Sequence, residues 1–340
     1  MPETDNNEKS LHPELLQVLA AIRERRVVNY NSPGDYFAVH TADRQQGFYR
    51  ERGYEILLRI TKYCNIRCRH CFITPSARII PPETITTLID LLVRDNLPFI
   101  LFVLSGGEPT LHPDFFQIVR YLVQARMPRI IIQTNAIRFA DKKFFTQLPR
   151  SRSLEFFVSL PAAEQIVYDT MTCSKAYSRA IKGMARLTSR YSTRLNFVVN
   201  RLNYQSLAET ASFVRRRFSR LRTTLLISNL GCLDSFDYRQ LLVCYTDLLP
   251  VLRDVIRRQP EVQITLSGGC SFPLCIYRQL GRPINKHMLY LAGPCQTGYD
   301  HTDRQFYKNE LCRSCRYTDY CFGFASRYIE LFGDEEIRPL

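Results

Sequence analysis

Residues 56–71 read Ile56-Leu57-Leu58-Arg59-Ile60-Thr61-Lys62-Tyr63-Cys64-Asn65-Ile66-Arg67-Cys68-Arg69-His70-Cys71. The first six form an aliphatic run of strand length. The rest is a C-x3-C-x2-C loop. Three thiolates at this spacing can converge on one metal centre, and two chemistries compete for them. Tetrahedral zinc needs a fourth donor, for which His70 is nearest, yet His70 adjoins Cys71 and neighbouring residues rarely share one zinc. A [4Fe–4S] cluster with three cysteine ligands leaves its fourth iron open to an exogenous ligand.

Working outward, the same kind of run recurs at 99–104, 129–134, 154–160, 195–200 and 223–228, and several of these runs are apolar on both faces. Strands of a parallel sheet covered by helices have this character. Helical periodicity fills the gaps near 83–95, 113–126, 141–148, 176–190, 205–219 and 235–258. Pro81-Pro82-Glu83 and His112-Pro113-Asp114 suit helix entries. The alternation predicts an α/β fold, a partial (βα)6 TIM-like barrel with a small C-terminal cysteine-rich metal-binding extension. A complete eight-stranded barrel usually takes about 250 residues, more than the stretch from 56 to 228 provides. The expected organisation is an N-terminal helical extension over 1–50, the barrel over 51–230 and a cysteine-rich region over 231–340. Residues 12–27 carry the helical spacing of the first part, and Asn31-Ser32-Pro33-Gly34-Asp35 is turn chemistry.

In such a barrel, chemistry belongs at the C-terminal ends of the strands. The second strand runs into Ser105-Gly106-Gly107-Glu108-Pro109-Thr110. Its glycines allow close backbone approach to a ligand, and Glu108 offers a carboxylate to an amino group. The third strand ends at Gln133-Thr134-Asn135, Ser159 sits on the fourth, and Asn196, Asn200 and Asn203 flank the fifth. Cys173 reads as an ordinary loop cysteine, with a catalytic thiol as the alternative.

Cys64-x3-Cys68-x2-Cys71 followed by Gly106-Gly107-Glu108-Pro109 on consecutive strand ends resembles the radical SAM superfamily, over roughly residues 55–230. The resemblance implies that Cys64, Cys68 and Cys71 bind a [4Fe–4S] cluster whose open iron is chelated by S-adenosylmethionine. It puts His70 near the adenine, and Gly106, Gly107 and Glu108 near the methionine amino group. Thr134, Asn135 and Ser159 are candidates for the SAM carboxylate and ribose. The implied chemistry is reductive cleavage of SAM to methionine and a 5′-deoxyadenosyl radical, which abstracts hydrogen from a substrate. The cofactors carry that reaction, and the protein orients and shields it.

A second cysteine system follows residue 230. A strand-like run at 263–266 leads to Cys270 and Cys275, Cys295 follows Gly293-Pro294, and Cys312-x2-Cys315-x5-Cys321 closes the series. The last pattern resembles the auxiliary-cluster domains called SPASM or twitch. It departs from the full pattern because position 325 is Ala where a further cysteine is expected. One second [4Fe–4S] cluster is therefore expected, on Cys312, Cys315, Cys321 and Cys275, with Cys295 as the alternative fourth ligand and zinc as the alternative metal. Cys244 reads as core.

Composition bounds the function. The chain has 340 residues, 45% hydrophobic and 23% charged, so it can bury a core. No run approaches the ~18 apolar residues of a membrane span. The polar start, 1–10, is neither a signal nor a transit peptide, so a cytoplasmic protein is expected. In a reducing compartment its 12 cysteines are ligands or core rather than disulfides. The net charge is +14 and comes mostly from arginine, clustered at Arg215, Arg216, Arg217, Arg220 and Arg222. A solvated helix face accounts for that cluster; an anionic partner, nucleic acid included, is the other reading, unsupported by any nucleic-acid motif. The leading expectation is a radical SAM oxidoreductase of maturase type acting on a peptide, with an electron donor such as flavodoxin or ferredoxin. A nucleotide, RNA or small metabolite is the alternative substrate. A non-catalytic iron–sulfur or zinc protein is the third reading, against which the intact Gly106-Gly107-Glu108 argues.

Overall fold

The computed structural model describes residues 53–95, 99–218, 221–230, 238–264, 271–284 and 306–340, with strands at 29–31 and 37–42 and the single positions 16, 19, 20, 23 and 24. Among these, nine strands form one sheet in chain order. They are β1 (Asn29–Asn31), β2 (Phe37–Ala42), β3 (Gly53–Thr61), β4 (Phe99–Gly106), β5 (Ile130–Thr134), β6 (Leu154–Ser159), β7 (Ser192–Val198), β8 (Thr223–Ser228) and β9 (Gln263–Ile264). The first two pairings are antiparallel. From β3 to β9 every pairing is parallel, so seven strands form the parallel sheet.

Helices follow the strands as crossovers: α1 (Pro82–Arg94), α2 (Phe115–Gln124), α3 (Lys142–Thr146), α4 (Gln165–Thr172), α5 (Tyr177–Arg190), α6 (Leu207–Arg217), α7 (Tyr238–Leu241) and α8 (Tyr245–Arg258). Beyond them lie α9 (Leu274–Gln279), β10 (Phe306–Tyr307), α10 (Glu310–Arg313), β11 (Phe324–Ala325) and α11 (Ser326–Phe332). The residues explain the layers. On β6, Leu154, Phe156 and Val158 are buried while Glu155, Phe157 and Ser159 are half-buried, the period of two of a pleated strand. On β5, Ile130, Ile131 and Ile132 are all buried, as expected of a strand covered on both faces. Helix α5 buries Ala180, Gly183, Met184 and Leu187, one stripe at helical spacing. Pro82 opens α1 where a missing N–H costs nothing, and Glu83 complements the helix dipole.

All six predicted strands form where the hydrophobic runs place them. The run at 263–266 adds a seventh parallel strand over its described part, 263–264. The antiparallel pair β1 and β2 was not anticipated; positions 32–35 of the expected turn and most of the helix expected over 12–27 lie outside the described residues. The Asn-Tyr-Asn strand of β1 carries little hydrophobic signal. Helix α4 was missed as well. At eight residues it is too short, and too rich in Val, Ile and Thr, to announce itself by propensity. Leu274, Tyr277, Phe324 and Tyr328 join the same core cluster as the barrel strands. The segment after residue 230 thus packs on the barrel. Tyr328 ties it down: its ring stacks on Tyr245 at 4.6 Å, its hydroxyl accepts from Tyr245 N at 2.7 Å, and it bonds Glu336. Among the described residues no helix is long and apolar enough to cross a membrane.

Candidate functional site

The loop after β3 is held from two sides. On one side, Arg67 N donates to Thr172 O (3.0 Å) and Arg69 N to Met171 O (2.9 Å). Arg69 Nε donates to Thr170 O (3.1 Å). These are the last carbonyls of α4, which have no partner within the helix. On the other side, Gly107 N donates to Thr61 O (2.8 Å) and Glu108 N to Tyr63 O (2.9 Å). The two glycines make this second contact possible. A Cβ on Gly106 would stand 2.0 Å from Thr61 O, and one on Gly107 2.4 Å from Tyr63 O. Gly106 also has φ +137°, a conformation that favours glycine. Gly106-Gly107 therefore locks the cysteine loop onto the neighbouring strand end.

Cys64, Cys68 and Cys71 are free thiols, the first two half-buried and the third exposed. Burial pushes Cys64 up to about 11, with Glu108 and Cys71 adding to it. Cys68 is pushed higher still by burial, then by Cys71, Cys64 and Cys173. Cys64 and Cys68, poorly solvated and held in the thiol form, make with Cys71 a donor set that a cationic centre stabilises, and its binding displaces their protons. Among the described residues, no three His, Cys, Asp or Glu side chains approach closely enough for a single metal ion. A lone zinc would draw its sulfurs to about 2.3 Å.

Glu108 is fully buried and does not face open space. Its Oε1 accepts from Thr110 N (3.3 Å), Thr110 Oγ1 (2.6 Å) and Thr134 Oγ1 (2.7 Å), and its Oε2 from Asn135 N (2.7 Å). Burial raises its pKa while these donors oppose the rise. Here it is the clamp joining the ends of β4 and β5. Asn135 carries the clamp toward the cysteines: its Nδ2 donates to Asn65 Oδ1 (2.8 Å) and stands 4.0 Å from Cys64 Sγ. Thr134 and Asn135 are linked to the cysteine loop through Glu108 and Asn65.

Ser159 ends β6 in register with Asn196, whose Oδ1 accepts from Ser228 Oγ (2.6 Å). Asn200 and Asn203 serve the turn after β7: Asn203 Oδ1 accepts from Asn200 N (2.8 Å) and its Nδ2 donates to Pro161 O (3.0 Å). Both side chains thus hold this turn. His70 is half-buried with Nδ1 sealed from solvent and unpartnered, and desolvation lowers its pKa to about 4. Cys173 caps α4 with φ +47° and is exposed.

The C-terminal cysteines also converge. Cys275, Cys312, Cys315 and Cys321 line one cavity with Lys308, Leu274 and Gly323. Cys321 Sγ accepts from Gly323 N (3.3 Å) and Leu274 N (3.5 Å), and burial raises its pKa. Burial pushes Cys275 up to about 12, reinforced by Cys321 and Cys312. Cys244, half-buried, packs against the core. Cys232, Cys270 and the alternative ligand Cys295 lie outside the described residues. Asn65, Thr110 and Lys308 were not singled out from sequence. Asn65 and Thr110 stand next to Cys64 and Glu108 in the chain itself, whereas the Asn65–Asn135 bond and the place of Lys308 in the C-terminal cavity come from the fold.

Residues 58–214 match the Radical SAM superfamily. The chain carries a radical SAM domain. The cysteine loop, the Gly106-Gly107-Glu108 clamp and strands β4 to β7 lie within that match, and β8 and β9 follow it. The bovine (Bos taurus) molybdenum cofactor biosynthesis protein 1 is 30% identical over 158 residues, 44% of this chain and 24% of that one. Mycofactocin maturase MftC of Mycobacterium tuberculosis is 28% identical over 173 residues, 49% of this chain and 43% of that one. The radical SAM domain is shared, but the chain spans less than half the length of either relative. Among solved structures, Streptococcus suis SuiB bound to S-adenosylmethionine superposes with a TM-score of 0.58 at 16% identity, over 83% of this chain and 74% of that one. At that identity the likeness concerns the fold.

Proposed function

We propose that this chain is a radical SAM maturase that abstracts hydrogen from a peptide. The carrying observation is the pairing of two thiol sets on one core: Cys64, Cys68 and Cys71 at the barrel mouth, and Cys275, Cys312, Cys315 and Cys321 in the C-terminal segment. When bound, a [4Fe–4S] cluster and S-adenosylmethionine would supply reductive cleavage and the 5′-deoxyadenosyl radical. The chain's own residues do the rest. Cys64, Cys68 and Cys71 hold the cluster, with Asn135 close to Cys64. Gly106 and Gly107 fix the loop, Glu108 clamps the strand ends, and His70, Thr134, Asn135 and Ser159 border the space open to SAM. The buried Glu108 leaves the amino group of SAM to be met by backbone at the Gly106-Gly107 edge.

The second set fits a second [4Fe–4S] cluster, with Lys308 beside it as a positive charge. Its Nζ donates to Thr318 O (2.6 Å). A C-terminal cluster extension of this kind is the reason to favour a peptide over a small molecule, and a reduced flavodoxin or ferredoxin would provide the electron. A nucleotide is the second reading, favoured by a relative 28% identical over 158 residues, the probable GTP 3′,8-cyclase of Saccharolobus islandicus.

The test is anaerobic reconstitution, reduction and assay of 5′-deoxyadenosine from SAM. Peptides encoded beside the gene are expected to raise its yield and to return two mass units lighter or cross-linked. Stimulation by a nucleoside triphosphate instead would favour the second reading. Failure of the fully loaded, reduced protein to cleave SAM at all would sink both.

A further inference from the structure

We infer that the hydroxyl of Tyr168 donates a hydrogen bond to the sulfur face of the cluster held by the 64–71 loop, and that Tyr168 is a positioning residue raising that cluster's reduction potential. The inference rests on the proposal that Cys64, Cys68 and Cys71 hold the cluster.

Tyr168 is 0% exposed, yet its hydroxyl has no hydrogen-bond partner. A phenol buried this way normally finds one. Its placement says where the partner belongs. Tyr168 lies on α4, one turn before the carbonyls of Thr170, Met171 and Thr172 that hold the cysteine loop. Its ring is wedged edge-on against Tyr177 at 5.6 Å, and the Tyr177 hydroxyl is already engaged by Ala163 O. The charges acting on the Tyr168 hydroxyl, after burial itself, are those of Cys68, Asp169, Glu108 and Cys64. The helix that bears this hydroxyl touches the 64–71 loop directly, through the carbonyls of Thr170, Met171 and Thr172. Asp169 also has a buried, unpartnered oxygen, Oδ1. As the next residue on the helix it points about 100° away, since side chains at i and i+1 do not face each other. A water bridging the two is the competing arrangement.

A phenylalanine would fill the same volume without leaving a donor unpaired. The hydroxyl thus counts against the metal-free chain and is rewarded only when sulfur acceptors are present. Hydrogen bonds to cluster sulfurs favour the reduced, more negative state and raise the potential.

The test is Tyr168→Phe in the full chain. Without metal, the variant is expected to unfold at the same or a higher urea concentration than the parent. Loaded, it is expected to retain its iron, to shift to a more negative midpoint potential, and to lose one exchangeable-proton coupling in pulsed EPR of the reduced cluster. The relevant cluster is the one whose EPR spectrum SAM perturbs. An unchanged potential and proton coupling overturns the inference and assigns the hydroxyl to water. A metal-free variant less stable than the parent also overturns it, because the hydroxyl would then have a protein partner. If Cys64, Cys68 and Cys71 changed together to Ala leave the iron content intact, the cluster assignment itself fails, and this is read independently of Tyr168.

Discussion

Glu108 is where the residue-level chemistry is most exacting. Its two oxygens meet two backbone N–H groups, Thr110 N at Oε1 and Asn135 N at Oε2, that cannot rotate away. In Glu108→Gln the amide NH2 must face one of them, donor against donor, whichever way it flips. The expected cost is about 1–3 kcal/mol, read as a lower urea midpoint with unchanged slope. A variant as stable as the parent would mean that the clamp is not formed. The sequence reading offered the Glu108 carboxylate to an amino group; in the structure Thr110, Thr134 and the Asn135 N–H engage it. From the sequence, Gly-Gly-Glu at a strand end looked like a ligand cradle. The fold turns the carboxylate inward, onto Thr110 and Thr134, and it is the backbone that approaches the cysteine loop.

At the scale of elements, the site depends on how closely α5 approaches the 3-10 turn Ile137–Ala140 that follows β5. A Cβ on Gly183 would stand 1.9 Å from Ala136 O. Ala136 itself has φ +63°, and the next residue back is Asn135. In an unconstrained helix, Gly183→Ala would gain up to about 1 kcal/mol of propensity. Here the backbone must move, so a net loss of about 1–3 kcal/mol is expected. Asn135 should move with it, and iron retained at the first site should fall. Thermal unfolding and iron assay of the variant check both; a stabilised variant would show that the turn yields freely. The period-3.6 stripe of α5 was legible, and the reason for a glycine inside it was not, because the crowding atom belongs to another element. Helix α4 was illegible for a related reason. Its last carbonyls are satisfied by the cysteine loop, so tertiary contact completes what local propensity leaves weak.

For the whole molecule, two clusters on one core predict about eight iron and eight sulfide per reconstituted chain. Changing Cys64, Cys68 and Cys71 together to Ala should leave about four of each and abolish SAM cleavage. Four iron with one zinc in the parent would reassign the C-terminal site. Loss of both sites in the variant would mean that they fold as one unit, a coupling made plausible by the shared core around Leu274, Phe324 and Tyr328.

The sequence by itself determined the order of strands and helices and the two groups of cysteines, because hydrophobic period and residue spacing are local properties. It also marked the strand ends at Gly106, Thr134 and Ser159, where the parallel sheet places them. Tertiary structure alone decided which way each polar side chain faces. Glu108 turned inward, Asn200 and Asn203 went to a turn, Cys275 met Cys312, Cys315 and Cys321 around one cavity, and Tyr168 was left buried without a partner. Those outcomes depend on contacts between segments far apart in the chain, where burial and hydrogen-bond geometry set the balance and spacing carries no information.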